Sequence, residues 1–109
     1  MKMYNSNSTW KIGNVTKDVF YKQGEGDKKS FCSFRIAVDV DKDSTVFFPV
    51  KCFAFTADSC ADLKKGDKVV VVGRDYEDAW KKDDGEEVKA LGVVAECVGV
   101  VVRPKKEEF

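Results

Sequence analysis

Aromatic and basic side chains alternate along one stretch of this chain, and their spacing suits the stacking of planar bases. The stretch Val46–Phe55 reads VFFPVKCFAF and is typical of a β-strand. One face of this strand would be small and apolar, and the other would carry Phe47, Pro49, Lys51, Phe53 and Phe55. Aromatic rings beside a lysine on a non-core face are what a stacking surface for single-stranded nucleic acid requires. The alternative is that this face packs on a partner subunit or under the adjacent helix, and Phe55 fits that alternative at least as well.

The cysteines form no recognisable metal or redox motif. Cys32, Cys52, Cys60 and Cys97 are separated by 20, 8 and 37 residues, and the chain has no histidine. We expect buried free thiols in a reducing compartment rather than a zinc site. A glycine-rich phosphate loop, a catalytic triad and a paired-carboxylate site are also missing, and Asp83 and Asp84 are turn residues. We therefore predict no enzyme activity, no metal and no cofactor.

Composition predicts one globular domain in the cytoplasm. The 109 residues are 43% hydrophobic, which is enough for a small core. No apolar run approaches the ~18–20 residues that span a bilayer, and the first eight residues carry no apolar signal core. The 19 basic and 19 acidic side chains cancel, whereas nucleic-acid binders are usually basic. Affinity for nucleic acid must therefore come from local clusters of cations together with stacking.

The order of predicted elements favours an all-β barrel. The predicted strands are Thr9–Val15 with a continuation at Val19–Tyr21, then Ser30–Val40, Val46–Phe55, Lys68–Gly73 continuing as Arg74–Trp80, and Val88–Arg103. A helix is predicted over Thr56–Lys65, with Thr56 as its N-cap, and polar breaks fall at Lys22–Lys29, Asp41–Thr45 and Lys81–Glu86. Five strands with a helix between the third and fourth is the order of the five-stranded OB-fold Greek-key barrel.

Alternation within the strands predicts the core. The inward-facing side chains would be Cys32, Phe34, Ile36 and Val38 in one strand, and Val46, Phe48, Val50, Cys52 and Ala54 in the next. The β-branched run Lys68–Gly73 predicts a fully buried strand, and Gly92 and Gly99 predict bends. Trp10 alternates with Ile12, which predicts that Trp10 packs inside or at a subunit contact.

Six short segments, in this order and spacing, resemble the bacterial and phage single-stranded DNA-binding proteins. They are Gly13–Asp18, Phe34–Val38, Phe47–Pro49 with Phe53, Lys64–Val69 reaching Gly73–Arg74, Trp80–Gly85, and Val93–Glu96. Each segment alone is a weak signal, and together they cover about residues 9 to 102. The resemblance implies an OB fold that associates as a tetramer or dimer and coats single-stranded DNA in replication, recombination and repair. It implies neither catalysis nor a cofactor.

The resemblance also implies a set of DNA-binding residues. The stacking aromatics of the family fall on Phe47, Phe53 and Trp80. Lys51 lies among these aromatics, and phosphate contacts are expected from Arg35, Arg74, Lys81 and Lys82, with Lys11, Lys17 and Lys89 as further cations. Family members often carry a further tryptophan in the loop after the second strand. Here that loop holds Asp41–Asp43, so one stacking residue is expected to be absent. The usually basic strand before Trp80 instead carries Asp75, Glu77 and Asp78, which oppose phosphate binding, while Tyr76 would partly substitute by stacking.

The predicted domain spans 9–103, between a flexible N-terminus at 1–8 and a charged tail at 104–109. Chromosomal family members carry a long linker with an acidic tip, whereas this chain is expected to end about seven residues after the barrel, in Glu107, Glu108 and Phe109. These three residues would form a minimal docking tip for replication or repair proteins, or simply a charged end. The short form fits a phage, plasmid or accessory version of the family better than a chromosomal one. The alternative function is an OB-fold protein–protein interaction module, an accessory replication subunit with weak or no DNA binding.

Overall fold

Six strands and one helix make up the part of the chain that the computed structural model describes, residues 8–102 without the side chains of Asp78, Trp80 and Ala90. In chain order they are β1 (Ser8–Val15), β2 (Phe20–Lys22), β3 (Phe31–Asp41), β4 (Ser44–Phe53), α1 (Ala54–Cys60), β5 (Lys68–Lys81) and β6 (Glu87–Val100). The predicted N-terminal segment, apart from Ser8, and the predicted tail lie outside the described residues. The described part contains no helix long and apolar enough to cross a membrane.

Five of the strands close into a barrel. β1 pairs with β5 along its length and with β3 at its end, and β3–β4 and β5–β6 are antiparallel hairpins. β4 and β6 close the barrel in parallel, with Val50 opposite Val93. The three-residue β2 adds to β3 beyond the end of β1. The predicted all-β OB barrel is therefore confirmed, with the helix between β4 and β5 once the short β2 is counted as a strand.

The predicted inward faces of β3 and β4 form most of the core. Cys32, Phe34 and Ile36 are buried, as are Val50 and Cys52 across the hairpin, and Val38 and Phe48 pack partly against them. Two of the predicted core residues lie elsewhere. Val46 is exposed because it lies near the β3–β4 turn, beyond the barrel interior, and Ala54 leaves the strand to begin α1.

The prediction of a fully buried strand over Lys68–Gly73 is wrong. Val69 and Val71 are buried, whereas Val72 is exposed and Val70 is half-buried. The run of β-branched residues suits the pleated backbone on both faces and so conceals the alternation. Trp10 lies opposite Val72 on the outer surface and is 67% exposed, so it does not pack inside the barrel.

The helix is shorter than predicted and begins earlier. α1 ends at Cys60, and the predicted N-cap Thr56 lies inside it, where the Thr56 hydroxyl donates to the Glu96 carbonyl at 3.4 Å. The chain turns abruptly at Ala54, whose φ of 56° lies in the left-handed region. The Ala54 amide donates to the Ser30 carbonyl at 2.9 Å, which holds this turn against the start of β3.

A β-bulge bends β6 at Glu96, not at the predicted glycines. Val72 pairs with Cys97 and Gly73 pairs with Ala95, so Glu96 is the extra residue. Gly73 permits this close approach, because a Cβ there would lie 2.0 Å from the Val94 carbonyl oxygen.

The thiols divide into a buried group and one exposed residue. Cys32 and Cys52 lie opposite each other in β3 and β4, and the Cys52 and Cys60 sulfurs are 3.9 Å apart beneath α1. Burial raises the pKa of Cys32 to about 11, so this thiol stays protonated at neutral pH. The prediction of buried free thiols is confirmed for these three, and it is wrong for Cys97, which is exposed.

Candidate nucleic-acid interface

The outer face of the β3–β4 hairpin carries the predicted stacking residues. Phe47, Pro49, Lys51 and Phe53 alternate with the buried positions of β4 and lie opposite Ala37, Arg35, Ser33 and Phe31 of β3. Residues opposite each other in an antiparallel pair share one face of the sheet. The hairpin therefore presents rings, a proline and two cations together on the outside of the barrel.

Phe47 and Phe53 lie at the two ends of this face. They are 54% and 44% exposed, respectively. Six residues separate them along β4, which corresponds to about 20 Å in an extended strand. Phe55 was expected either to join this face or to pack under the adjacent helix. It lies on α1 itself and is 86% exposed, so it does neither.

Tyr76 reaches this face from β5. It lies opposite Gly92 of β6, and a Cβ at Gly92 would come within 2.5 Å of the Tyr76 ring. The missing side chain at Gly92 lets the ring cross β6, so that the Lys51 ammonium lies 4.8 Å from the ring centroid. The sequence predicted a bend at Gly92. In the structure, Gly92 instead leaves room for the Tyr76 ring.

A groove of about 300 Å³ runs between these elements. Ser33, Arg35, Pro49 and Lys51 form its floor, Tyr76 borders one side, and Phe20 with the Thr16–Asp18 segment borders the other. Arg35 is exposed and Lys51 is half-buried. The groove thus combines apolar walls with three cations, Lys17, Arg35 and Lys51, and one carboxylate, Asp18. This excess of cations suits a planar base attached to an anionic backbone.

Two of the acidic residues of β5, Asp75 and Glu77, alternate with Tyr76 and so lie on the opposite face of the strand. Asp75 lies opposite the buried Val93, and its carboxylate is 3.9 Å from the Lys11 ammonium. Glu77 is 3.6 Å from the Lys89 ammonium. The expected repulsion of phosphates by these two carboxylates is therefore directed away from the groove and partly neutralised.

The remaining predicted residues are spread over β5 and its turn. The Arg74 guanidinium contacts the Glu96 carboxylate at 3.2 Å, so it already has an anionic partner. Lys81 and Lys82 are exposed at the β5–β6 turn. The Trp80 backbone pairs with Val88, and its side chain lies outside the described residues.

Two aromatic residues on the same face were not predicted as site residues. Phe20 of β2 lies opposite Ser33, and Phe31 lies opposite Phe53. The Phe31 ring centroid is 5.3 Å from that of Phe53 and 6.3 Å from that of Phe20. The alternation of Ser33 and Arg35 extends back to Phe31 and could have revealed it, whereas Phe20 depends on the β2–β3 register.

A hydrogen bond to α1 fixes the position of β2. The Tyr21 hydroxyl donates to the Asp58 carboxylate at 2.5 Å. This bond raises the pKa of Tyr21, because ionisation would remove the donor, and it lowers the pKa of Asp58, because the carboxylate gains a donor. Since neighbouring strand residues face opposite sides, anchoring Tyr21 inward holds Phe20 outward.

A second exposed apolar surface lies on β1 and β5. Trp10 and Ile12 lie opposite Val72 and Val70, and Cys97 lies opposite Val72 on the other side. Most of these side chains are exposed.

Residues 6–101 match the model of the Single-strand binding protein family. The chain belongs to this family. Its members are DNA-binding proteins without enzymatic activity, which confirms that this chain is a binding protein and not an enzyme. Single-stranded DNA binding is the general function that the family supports.

Two solved structures of single-stranded DNA-binding proteins share the fold. The small protein from Streptomyces coelicolor superposes with a TM-score of 0.72 at 24% identity, over 87% of this chain and 94% of its own. The wild-type protein from Thermus aquaticus gives a TM-score of 0.74 at 21% identity, over 94% of this chain and 44% of its own.

Proposed function

We propose that this chain binds single-stranded DNA without sequence preference, by stacking bases along the outer face of β3 and β4. The observation that carries the proposal is the continuous surface from Phe47 to Phe53, with Lys51 and Tyr76 in contact between them. Stacking tolerates any base because every base has a π-face, and each stacked base contributes about 1–3 kcal/mol. Trp80 would extend the surface toward the β5–β6 turn.

Phosphate contacts would come from cations around the groove. Arg35 and Lys51 lie on its floor, and Lys81 and Lys82 lie at the turn of the hairpin. Arg74 contributes less, because binding a phosphate would compete with its Glu96 partner. The binding would protect single-stranded DNA exposed in replication, recombination and repair. Glu107, Glu108 and Phe109 stay a predicted docking tip for other proteins of these processes.

Titration of fluorescently labelled oligo-dT against salt tests this function. Four phosphate contacts predict a slope of about −3 for log K against log salt, shallower than the slopes near −10 that strongly basic binders reach. A duplex of the same length is the control, and we expect it to bind more weakly because its bases cannot stack on the protein. Absence of oligo-dT binding even at low salt would contradict the proposal.

We further propose that copies of the chain associate through the outer face of β1 and β5. Homologues in the family are oligomeric, and the exposed patch of Trp10, Ile12 and Val72 is apolar. Covering such a patch removes apolar surface from water. The mass of the protein in solution distinguishes a dimer from a tetramer.

A protein-interaction module is the second candidate function. The balanced net charge favours it, as does the segment 74–89, where seven carboxylates face four cations. In that case oligo-dT would not bind, and the β4 rings would be covered by a partner protein instead.

A further inference from the structure

We propose that Cys52 and Cys60 form a modification site, at which a small peroxide such as hydrogen peroxide converts the two thiols into a disulfide that ties α1 to β4. The proposed DNA-binding function uses neither residue, so this inference is independent of it. The two sulfurs are 3.9 Å apart, and a disulfide bond is about 2.05 Å long. Rotation of the two side chains and a small movement of the short helix can close this gap.

The turn into α1 brings the two thiols together. Cys52 is the next-to-last residue of β4, and Cys60 is the last residue of α1. Between them the chain reverses at Ala54, so the end of the helix returns over the strand. Both thiols are buried, and Cys32 lies opposite Cys52 on β3. The pair therefore lies in the core beneath α1, shielded from solvent.

A hydrogen bond gives the two thiols different roles. The Cys52 thiol donates to the Cys60 sulfur. This bond lowers the pKa of Cys60, because the thiolate accepts it, and raises the pKa of Cys52, because ionisation would remove the donor. Cys60 is therefore the attacking thiolate and Cys52 is the thiol that follows. Cys32 stays protonated and does not compete with Cys60 for the peroxide.

The chemistry takes place in two steps. The Cys60 thiolate attacks one peroxide oxygen and the O–O bond breaks, which leaves a sulfenic acid on Cys60 and releases hydroxide. The Cys52 sulfur then attacks the Cys60 sulfur, the S–O bond breaks, and the oxygen leaves with the Cys52 proton as water. Two thiols are oxidised by two electrons in total, and one hydrogen peroxide is reduced to two water molecules. A dithiol reductant reverses the change by thiol–disulfide exchange.

Local opening of α1 gives the peroxide access to the buried pair. The helix has seven residues, no side-chain N-cap and no acidic residue in its first turn, and a helix this short is marginal without tertiary contacts. The Tyr21 hydroxyl donates to the Asp58 carboxylate, and the Thr56 hydroxyl donates to the Glu96 carbonyl. These side-chain bonds hold the helix closed. The rate of oxidation should therefore depend on them.

Peptide mapping of the full chain tests the site. The folded protein is treated with hydrogen peroxide, its remaining thiols are blocked with N-ethylmaleimide after denaturation, and it is digested with trypsin. Cleavage after Lys51 and Lys64 places both cysteines in the peptide 52–64, while Cys32 and Cys97 fall in two other peptides. We expect this peptide to lose the mass of two hydrogen atoms and to carry no maleimide. Reduction with dithiothreitol before blocking should restore two maleimide groups.

Two variants test the route of access. Tyr21→Phe removes a bond that holds α1 and should speed disulfide formation by about threefold. Gly92→Ala is the matched control, because its added Cβ meets Tyr76 and loosens the barrel without removing a bond to α1. It should leave the rate unchanged. Equal acceleration in both variants would mean that the disulfide forms in the unfolded chain, which would overturn a site in the native protein. A rate that Tyr21→Phe does not change would overturn the opening of α1.

The wild-type peptide map decides the proposal even if a variant fails to fold. Two maleimide groups on the peptide 52–64, in protein whose exposed Cys97 has been oxidised, would overturn it. A disulfide that links this peptide to the one with Cys32 would also overturn it, because the pairing would then be different. So would the gain of two oxygen atoms on Cys60 without a disulfide, because Cys52 would then have failed to follow.

Discussion

At the scale of single residues, the exposed aromatic rings differ in whether they belong to the proposed DNA-binding face or lie outside it. Phe53 is exposed yet contacts Phe31, whereas Phe55, two residues later, is more exposed and lies on the helix. Replacing each by alanine compares two neighbouring rings of the same type.

We expect Phe53→Ala to weaken oligo-dT binding by about tenfold, because one stacked base loses its platform. Phe55→Ala should bind as wild type does. Fluorescence anisotropy with labelled oligo-dT measures both, and equal losses for the two variants would contradict the assignment of Phe53.

Gly92 gives a residue-scale prediction about Tyr76. In Gly92→Ala the new Cβ would meet the Tyr76 ring, so the ring must move away from Lys51. We expect weaker oligo-dT binding and a loss of about 1–3 kcal/mol of stability, the usual cost of overpacking. Gly99→Ala in the same strand is the control, because a Cβ there meets nothing within 4 Å. Anisotropy and urea unfolding report the two effects.

At the scale of elements, β2 and α1 are joined through Tyr21 and Asp58. The Asp58 pKa is lowered and the Tyr21 pKa is raised by their shared hydrogen bond. The stabilisation from Asp58 is present above the unfolded aspartate pKa of about 3.9 and is lost as pH falls through the lower folded value. That from Tyr21 is present below the unfolded tyrosine pKa of about 10 and is lost as pH rises through the higher folded value.

Tyr21→Phe should therefore lower the thermal midpoint most between about pH 5 and pH 9, with a smaller difference from wild type outside this window. Phenylalanine keeps the packing of the ring and removes only the donor. Thermal unfolding followed by circular dichroism measures the difference. The same substitution in an Asp58→Asn background should show no such pH window, and a window that persisted there would point to another group.

Sequence patterns predict elements well where one face is buried and the other is polar. The alternation in β3 predicted its inward face correctly, because the outward positions Ser33, Arg35, Ala37 and Asp39 are visibly polar or small. The valines of β5 are apolar on both faces, so alternation could not separate buried Val69 from exposed Val72. The start of the helix was missed because Ala54, its first residue, adopts a left-handed φ that nothing in its type requires.

The candidate site follows the same rule. Phe47, Lys51 and Phe53 are predictable because they alternate within a single strand. The contact of Tyr76 with Lys51 and the Phe20–Phe31 pair depend on the register between strands, which is set by the closure of the barrel. A single sequence carries no direct signal for that register.

At the scale of the whole molecule, the proposed association face and the proposed DNA-binding face are different surfaces of the barrel. The β1–β5 patch includes Trp10 and Ile12, whereas the stacking rings lie on β2, β3 and β4. We expect Trp10→Glu to lower the solution mass toward that of one chain, because a buried, unpaired carboxylate at the contact is costly. Light scattering measures the mass, and Phe55→Glu is the control for adding charge to an exposed aromatic position. An unchanged mass would place the contact elsewhere.

Because one of the four thiols is exposed and the other three are buried, a fluorescent dye can be attached at a single native position. Cys97 is the exposed thiol among the four, and it lies beside Val72 on the proposed contact face, while the other three are shielded in the core. A maleimide dye would therefore attach at one native position, without engineering. Its attachment rate would measure how often copies separate, and energy transfer between differently dyed copies would follow their exchange as DNA is added.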